Sequence, residues 1–167
     1  MKKLFMILSL VFLLCFTFSC QQGEEVTEEP VIDVEAEKAK VKSVLDKYIE
    51  AWKNEDLEIF SKIFAPDEDI VIFLADSPEL FIGWETWKEK IQSYFEHIEN
   101  IDVSFRDEFI KVHSSGDMAW LSCIEDANYV YKGEPVSVKG GRVTWVMEKR
   151  NGNWVIVHAH WSVPSEL

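Results

Sequence analysis

The sequence predicts an α+β domain, with helices first and a curved, mainly antiparallel sheet after them. Three observations carry this expectation. Between Val41 and Ile98, apolar residues recur at three- and four-residue spacings. From Ile101 onward, apolar and polar residues alternate in four long stretches. Turn signals separate those stretches, the strongest being Asn151-Gly152.

The elements follow in order. Val41, Val44, Leu45, Tyr48, Ile49 and Trp52 form one apolar stripe, which makes a helix from about Val34. "KNED" turns the chain. Asp56 is placed to cap a second short helix carrying Leu57, Phe60, Ile63 and Phe64, which Pro66 ends. "DIVIFLAD" is a short, branched strand, and "SPELFIG" reads as a loop. "WETWKEKIQSYFEHIEN" is a third helix, with Trp84, Trp87, Ile91, Tyr94, Phe95 and Ile98 on or near one side. Four strands follow as a meander. In the first, Ile101, Val103 and Phe105 alternate, and Ile110 and Val112 resume in the other parity. A bulge between Arg106 and Phe109 accounts for the change.

Before this domain, residues 1–20 read as an export signal. Lys2 and Lys3 precede an apolar run, and small or polar residues lead to Cys20. "TFSC" resembles a bacterial lipobox, with Ser19 fitting and Thr17 and Phe18 departing from the usual residues. The resemblance implies lipidation of Cys20 and anchoring in the bacterial cell envelope without a membrane span. Residues 21–33 are polar and acidic, interrupted by Pro30, and read as a flexible tether. Residues 34–167 form the domain.

The chain of 167 residues carries 17 basic and 30 acidic residues. Without the signal, 15 basic residues remain and the net charge is −15. Such a surface repels nucleic acid and anionic lipid, so the expected membrane link is the lipid alone. Cys123 is the one cysteine of the mature domain, which leaves no internal disulfide. It reads as a small buried apolar residue.

Three segments, "YIEAWKNEDLEIFSKIF", "SGDMAWLSCIEDANY" and "RVTWVMEKRNGNWVIVHAHWSVP", resemble the nuclear transport factor 2-like superfamily in its SnoaL-like branch. The span Val41 to Pro164 looks especially like the association (hub) domain of calcium/calmodulin-dependent protein kinase II. The resemblance implies a cone-shaped fold: three N-terminal helices cover the curved sheet and enclose a pocket. It places pocket positions at Trp87, Phe95, Glu125, Trp145 and Trp161. Where the hub domain has basic residues, this chain has aromatic ones and a single acid.

Strand alternation bears on the same positions. The more apolar set of the last strand is Val155, Val157, Ala159 and Trp161. That of the strand before it is Val143, Trp145 and Met147. These should face inward. The opposite set includes His158 and His160, together with Trp120, Ile124, Val146, Trp154 and Ile156. So apolar an outer face suggests an interface, and a homodimer through the sheet is the expected partner.

An aromatic pocket with one carboxylate suits a cationic, alkylated amine or a flat apolar ring. The leading functional expectation is a non-catalytic, lipid-anchored domain that binds such a small molecule. An isomerase, cyclase or dehydratase with Glu125 as general base is the alternative, with Tyr48 and Tyr129 as hydrogen-bond donors. A structural dimer whose aromatics simply fill the cone is the third. No cofactor and no metal are expected, because His158 and His160 lack a third ligand at fixed spacing.

Overall fold

The computed structural model describes residues 32–164, so the signal, Cys20 and most of the tether lie outside the described residues. Three helices pack on a curved, unclosed sheet of six strands. The helices are α1 (Val34–Asn54), α2 (Leu57–Ile63) and α3 (Trp84–Phe95). The strands are β1 (Val71–Phe73), β2 (Leu80–Ile82), β3 (Ile98–Val112), β4 (Met118–Tyr131), β5 (Glu134–Arg150) and β6 (Asn153–Ser162). Their order across the sheet is β2-β1-β6-β5-β4-β3. Only the β1–β6 pair is parallel.

Local chemistry sets the helix ends. The Asp33 carboxylate accepts from the Ala36 N–H at 3.0 Å and starts α1. Glu55 adopts the left-handed conformation that ends it. Asp56 then accepts from the Glu58 and Ile59 N–H groups and starts α2, as the sequence predicts. The stripe from Val41 to Trp52 is buried against the sheet.

The meander β3-β4-β5-β6 is present in full. Its two tightest turns, Lys132-Gly133 and Asn151-Gly152, hold both central residues at positive φ, the geometry that matches strand twist. The β3 bulge falls between Arg106 and Phe109, with Asp107 at positive φ.

Three local expectations are corrected. "SPELFIG" contains β2: Phe81 is buried and Leu80–Ile82 pairs with β1. That strand exists through its partner, since three residues show too little alternation to be read alone. The third helix stops at Phe95, and Ile98 opens β3 opposite Tyr131. An apolar residue four places on fits a helix stripe and a buried strand equally well.

The third correction concerns the faces of β6. Val146 pairs with His158, but Met147 pairs with Ile156, which leaves Val157 as an extra residue. This bulge inverts the parity of the first half of β6. Trp154 and Ile156, expected on the outer face, are buried at 4% and 0% exposure. The Trp154 indole N–H donates to the Glu37 carboxylate at 2.9 Å. Glu37 also pairs with Lys40 and Lys149, whose ammonium groups hold its carboxyl down at about 2. This network joins α1 to the β5–β6 hairpin. Trp120, Ile124 and Val146 remain on the outer face.

Candidate functional site

Between the helices and the concave side of the sheet lies a cavity of about 270 Å³. Its walls include Tyr48 and Trp52 from α1, Trp87 and Tyr94 from α3, and Trp161 from β6. Trp161 stacks on Tyr48, with ring centroids 6.0 Å apart and planes at 24°. Trp87 lies 6.4 Å from Trp161. The cavity is open, so the aromatics do not fill the cone.

Five residues were expected at this site. Trp87, Glu125 and Trp161 line the cavity together. Trp145 and Phe95 do not line it but stand behind its walls. Trp145 is fully buried, 5.1 Å from Tyr48 and 6.2 Å from Trp161. Phe95 packs edge-on against Trp52 at 5.7 Å and tilted on Phe60 at 6.0 Å. The inward parity of Trp145 is as read, but Tyr48 lies between it and the open space. The indole N–H groups of Trp87 and Trp145 are buried without an acceptor among the described residues.

Alternation in β4 turns Glu125 inward on the parity of Leu121, Cys123 and Ala127, and β5 is irregular just beyond it. Glu125 pairs with Gly141 and Ala127 pairs with Val138, so Lys139 and Gly140 together oppose Asp126. Gly140 takes positive φ, and its N–H donates to Asp126 at 2.9 Å. At Gly141 a Cβ would meet the Glu125 Cβ at an ordinary 3.5 Å across the strands and crowd Val138 of its own strand at 3.3 Å. Asp126 is drawn outward to Gly140 and Arg106, and Glu125 points inward.

Glu125 is half-buried on the cavity wall and has no hydrogen-bond or ion-pair partner among the described residues. Burial, and secondarily the Asp126 charge, push its carboxyl up to about 7. In turn, burial and Glu125 raise the Tyr48 hydroxyl. They also push the Cys123 thiol up to about 12, so Cys123 is a buried neutral group. Among the described residues, no lysine, arginine or histidine lines the cavity.

Sequence reasoning passed over Trp52, Tyr94 and Asp76 as lining residues. Trp52 ends the α1 stripe and was read only as core. Tyr94 donates to Asp76, from the β1–β2 loop, at 3.2 Å. No pattern in the sequence joins that loop to α3. Gly140-Gly141 within a strand was the available signal for the β5 bulge opposite Asp126.

His158 and His160 lie on the outer face beside Phe73, with ring centroids 6.0 and 5.5 Å from it. Burial and the neighbouring His160 lower His158. Among the described residues, no three His, Cys, Asp or Glu side chains converge on one point.

The profile of the SnoaL-like domain matches residues 41–166. This chain belongs to the SnoaL-like domain family. Solved structures carry the same fold. A nuclear transport factor 2-like superfamily protein from Salmonella enterica serovar Typhimurium superposes with a TM-score of 0.70 at 18% identity, covering 79% of this chain and 94% of that one. A candidate calcium/calmodulin-dependent protein kinase II association domain from Xanthomonas campestris gives 0.64 at 21%, covering 76% and 87%. A candidate scytalone dehydratase from Novosphingobium aromaticivorans gives 0.69 at 14%, covering 78% and 86%. No curated protein matches the chain. At these identities the likeness to the SnoaL-like relatives is one of fold, and the family hosts its functions through individual sites.

Proposed function

We propose that this SnoaL-like domain binds a small hydrophobic or cationic molecule in its aromatic cavity, with Glu125 as the polar partner. One observation carries the reading: an unpartnered carboxyl on the wall of an open, aromatic cavity that has no basic lining residue. Ring faces and a carboxylate both attract a cation, and their weak hydration raises the strength of that attraction. A cavity of about 270 Å³ stands at the small end of ligand sites, which span roughly 300–1,000 Å³. Titration with n-butyltrimethylammonium, followed by tryptophan fluorescence, tests the reading. Glu125→Gln and Trp161→Ala should each weaken binding by roughly tenfold. Equal affinity in the wild type and both variants would sink it.

One feature favours a second, catalytic reading. A carboxyl at about 7 is matched to general-base work at neutral pH. Glu125 would then remove a proton next to a carbonyl of a ring substrate, as an isomerase, cyclase or dehydratase requires. Under this reading Glu125→Gln abolishes α-proton exchange of a cyclic ketone and leaves its retention largely intact. If the wild type exchanges protons no faster than the variant, the binding reading stands alone.

The outer face supports a homodimer. Phe73, Leu80, Ile82, Phe109 and Trp120 are exposed there, with Ile124 and Val146 half-buried between them. Sedimentation should show a dimer that Trp120→Glu together with Phe73→Glu converts to monomer. A wild-type monomer at high concentration contradicts it. The lipid anchor rests on the Cys20 motif alone: Cys20→Ala should move the exported domain from the membrane to the soluble fraction. Continued membrane retention of the variant would count against lipidation.

A further inference from the structure

The cavity wall carries a second acid that no strand pattern foretells. Asp76 stands at the exposed rim, in the loop between β1 and β2, and lines the same cavity as Glu125. Its contact among the described residues is the Tyr94 hydroxyl at 3.2 Å, and it has no salt-bridge partner there. The two acids come from different elements, one inside and one at the mouth. Tyr129 lies within reach of both charges, which together with burial raise its hydroxyl. Lys90 sits 4.7 Å from the centre of the Tyr94 ring, but it is not a lining residue. The cavity thus offers two carboxyl groups, a run of aromatic faces between them, and no cation of its own.

We propose that the cavity takes a small aliphatic diamine, with one ammonium at Glu125, the methylene chain along Tyr48, Trp161 and Tyr129, and the second ammonium at Asp76. The proposal rests on the reading of Glu125 as the partner of a cation and adds a second anchor to it. Methylene groups gain from leaving water against the aromatic walls. Each ammonium keeps a carboxylate partner, so neither is left buried and unpaired. The rim pair stays partly hydrated, so its contribution is the modest one of a semi-exposed ion pair. An acid on each of two elements also favours two ammonium groups over one: a monoamine satisfies only one.

Calorimetry at pH 8 with 1,4-diaminobutane, 1,6-diaminohexane and the matching butyl- and hexylamines tests this. Glu125 is then mostly ionised and the amines are protonated. In the wild type the better diamine should bind roughly two- to fivefold tighter than its monoamine. Asp76→Asn should remove that preference, and an unchanged circular dichroism spectrum and urea midpoint show that the variant folds. Asp76→Ser, as a second variant, should do the same. Glu125→Gln should weaken both classes. Equal binding of diamine and monoamine by the wild type overturns the second anchor while the Glu125 reading survives. So does a preference that persists in both Asp76 variants, or a loss that falls equally on monoamine and diamine. If no amine binds and Glu125→Gln changes nothing, the cation reading itself falls with it.

Discussion

Trp145→Ala is expected to destabilise the domain by about 3–5 kcal/mol, the range for truncating a fully buried large aromatic. Domains of this size are stable by only about 5–15 kcal/mol, so the variant should sit near the edge of folding. The reason is its place behind the cavity. Trp145 is inaccessible to solvent and lies within aromatic contact of Tyr48, Phe105 and Trp161. Those rings come from α1, β3 and β6, so the indole joins a helix to both sides of the sheet. Removing it deletes contacts on all sides and leaves a hole next to an existing cavity. Trp145→Phe should cost less, because the ring partly fills the space and the unpartnered indole N–H goes with the substitution. Urea unfolding with an unchanged m-value is the measurement. A loss below about 1 kcal/mol for Trp145→Ala would show that the helices close over the gap, and that the wall of the cavity does not depend on this residue.

The second large effect is a fall of stability with pH contributed by Glu125, against which the lowered His158 works in the opposite sense below its ordinary 6.5. Glu125 sits at about 7 in the folded chain, against 4.5 ordinarily. Between those values the unfolded state has lost the proton and the folded state still holds it. Unfolding therefore releases a proton there, and stability falls as pH rises. The fall should begin near pH 4.5, run through pH 7 and then level off. Its size is up to about 3 kcal/mol, at 1.36 kcal/mol for each unit of displacement. Glu37 does not confuse the window, because its depressed titration lies lower: its contribution is lost only as pH falls below the ordinary carboxylate range toward about 2. Thermal unfolding of the wild type and Glu125→Gln from pH 5 to pH 8 isolates the effect, because His158 acts equally in both: the stability of the wild type relative to the variant should fall as pH rises. Parallel profiles would mean that the Glu125 carboxyl is solvated in the folded state. A cationic ligand should also oppose the slope, since it favours the ionised carboxylate.

The first expectation depends on a side chain whose inward direction strand alternation gave correctly for β5. Val143, Trp145 and Met147 are all buried. The same rule failed in the first half of β6, where one extra residue at Val157 sends Trp154 and Ile156 inward. Alternation assumes an unbroken ladder, and a bulge is decided by what the neighbouring strand can pair with. In β3 a bulge was legible because its two halves each showed clear alternation. In β6 nearly every residue is apolar or aromatic, so no change of parity shows. The candidate site divides similarly. Trp161 could be placed from its strand, and Glu125 and Trp87 from the family resemblance. Trp145 and Phe95 were assigned to the wall when they support it. Ring size and the intervening Tyr48 settle that, and neither is visible in a one-dimensional pattern.

By itself, the sequence determined the elements that depend on nearby residues: the stripe of α1, the Asp56 cap, the Asn151-Gly152 turn and the four-strand meander. These follow from spacing, capping and backbone preference over a few residues. The tertiary structure alone decided the short β2 strand, the inverted half of β6, the register of the Gly140 bulge opposite Asp126, and the meeting of Asp76 with Tyr94. Each depends on what lies across a strand pair or a cavity from it. Their contacts join residues far apart in the chain, where local pattern carries no information.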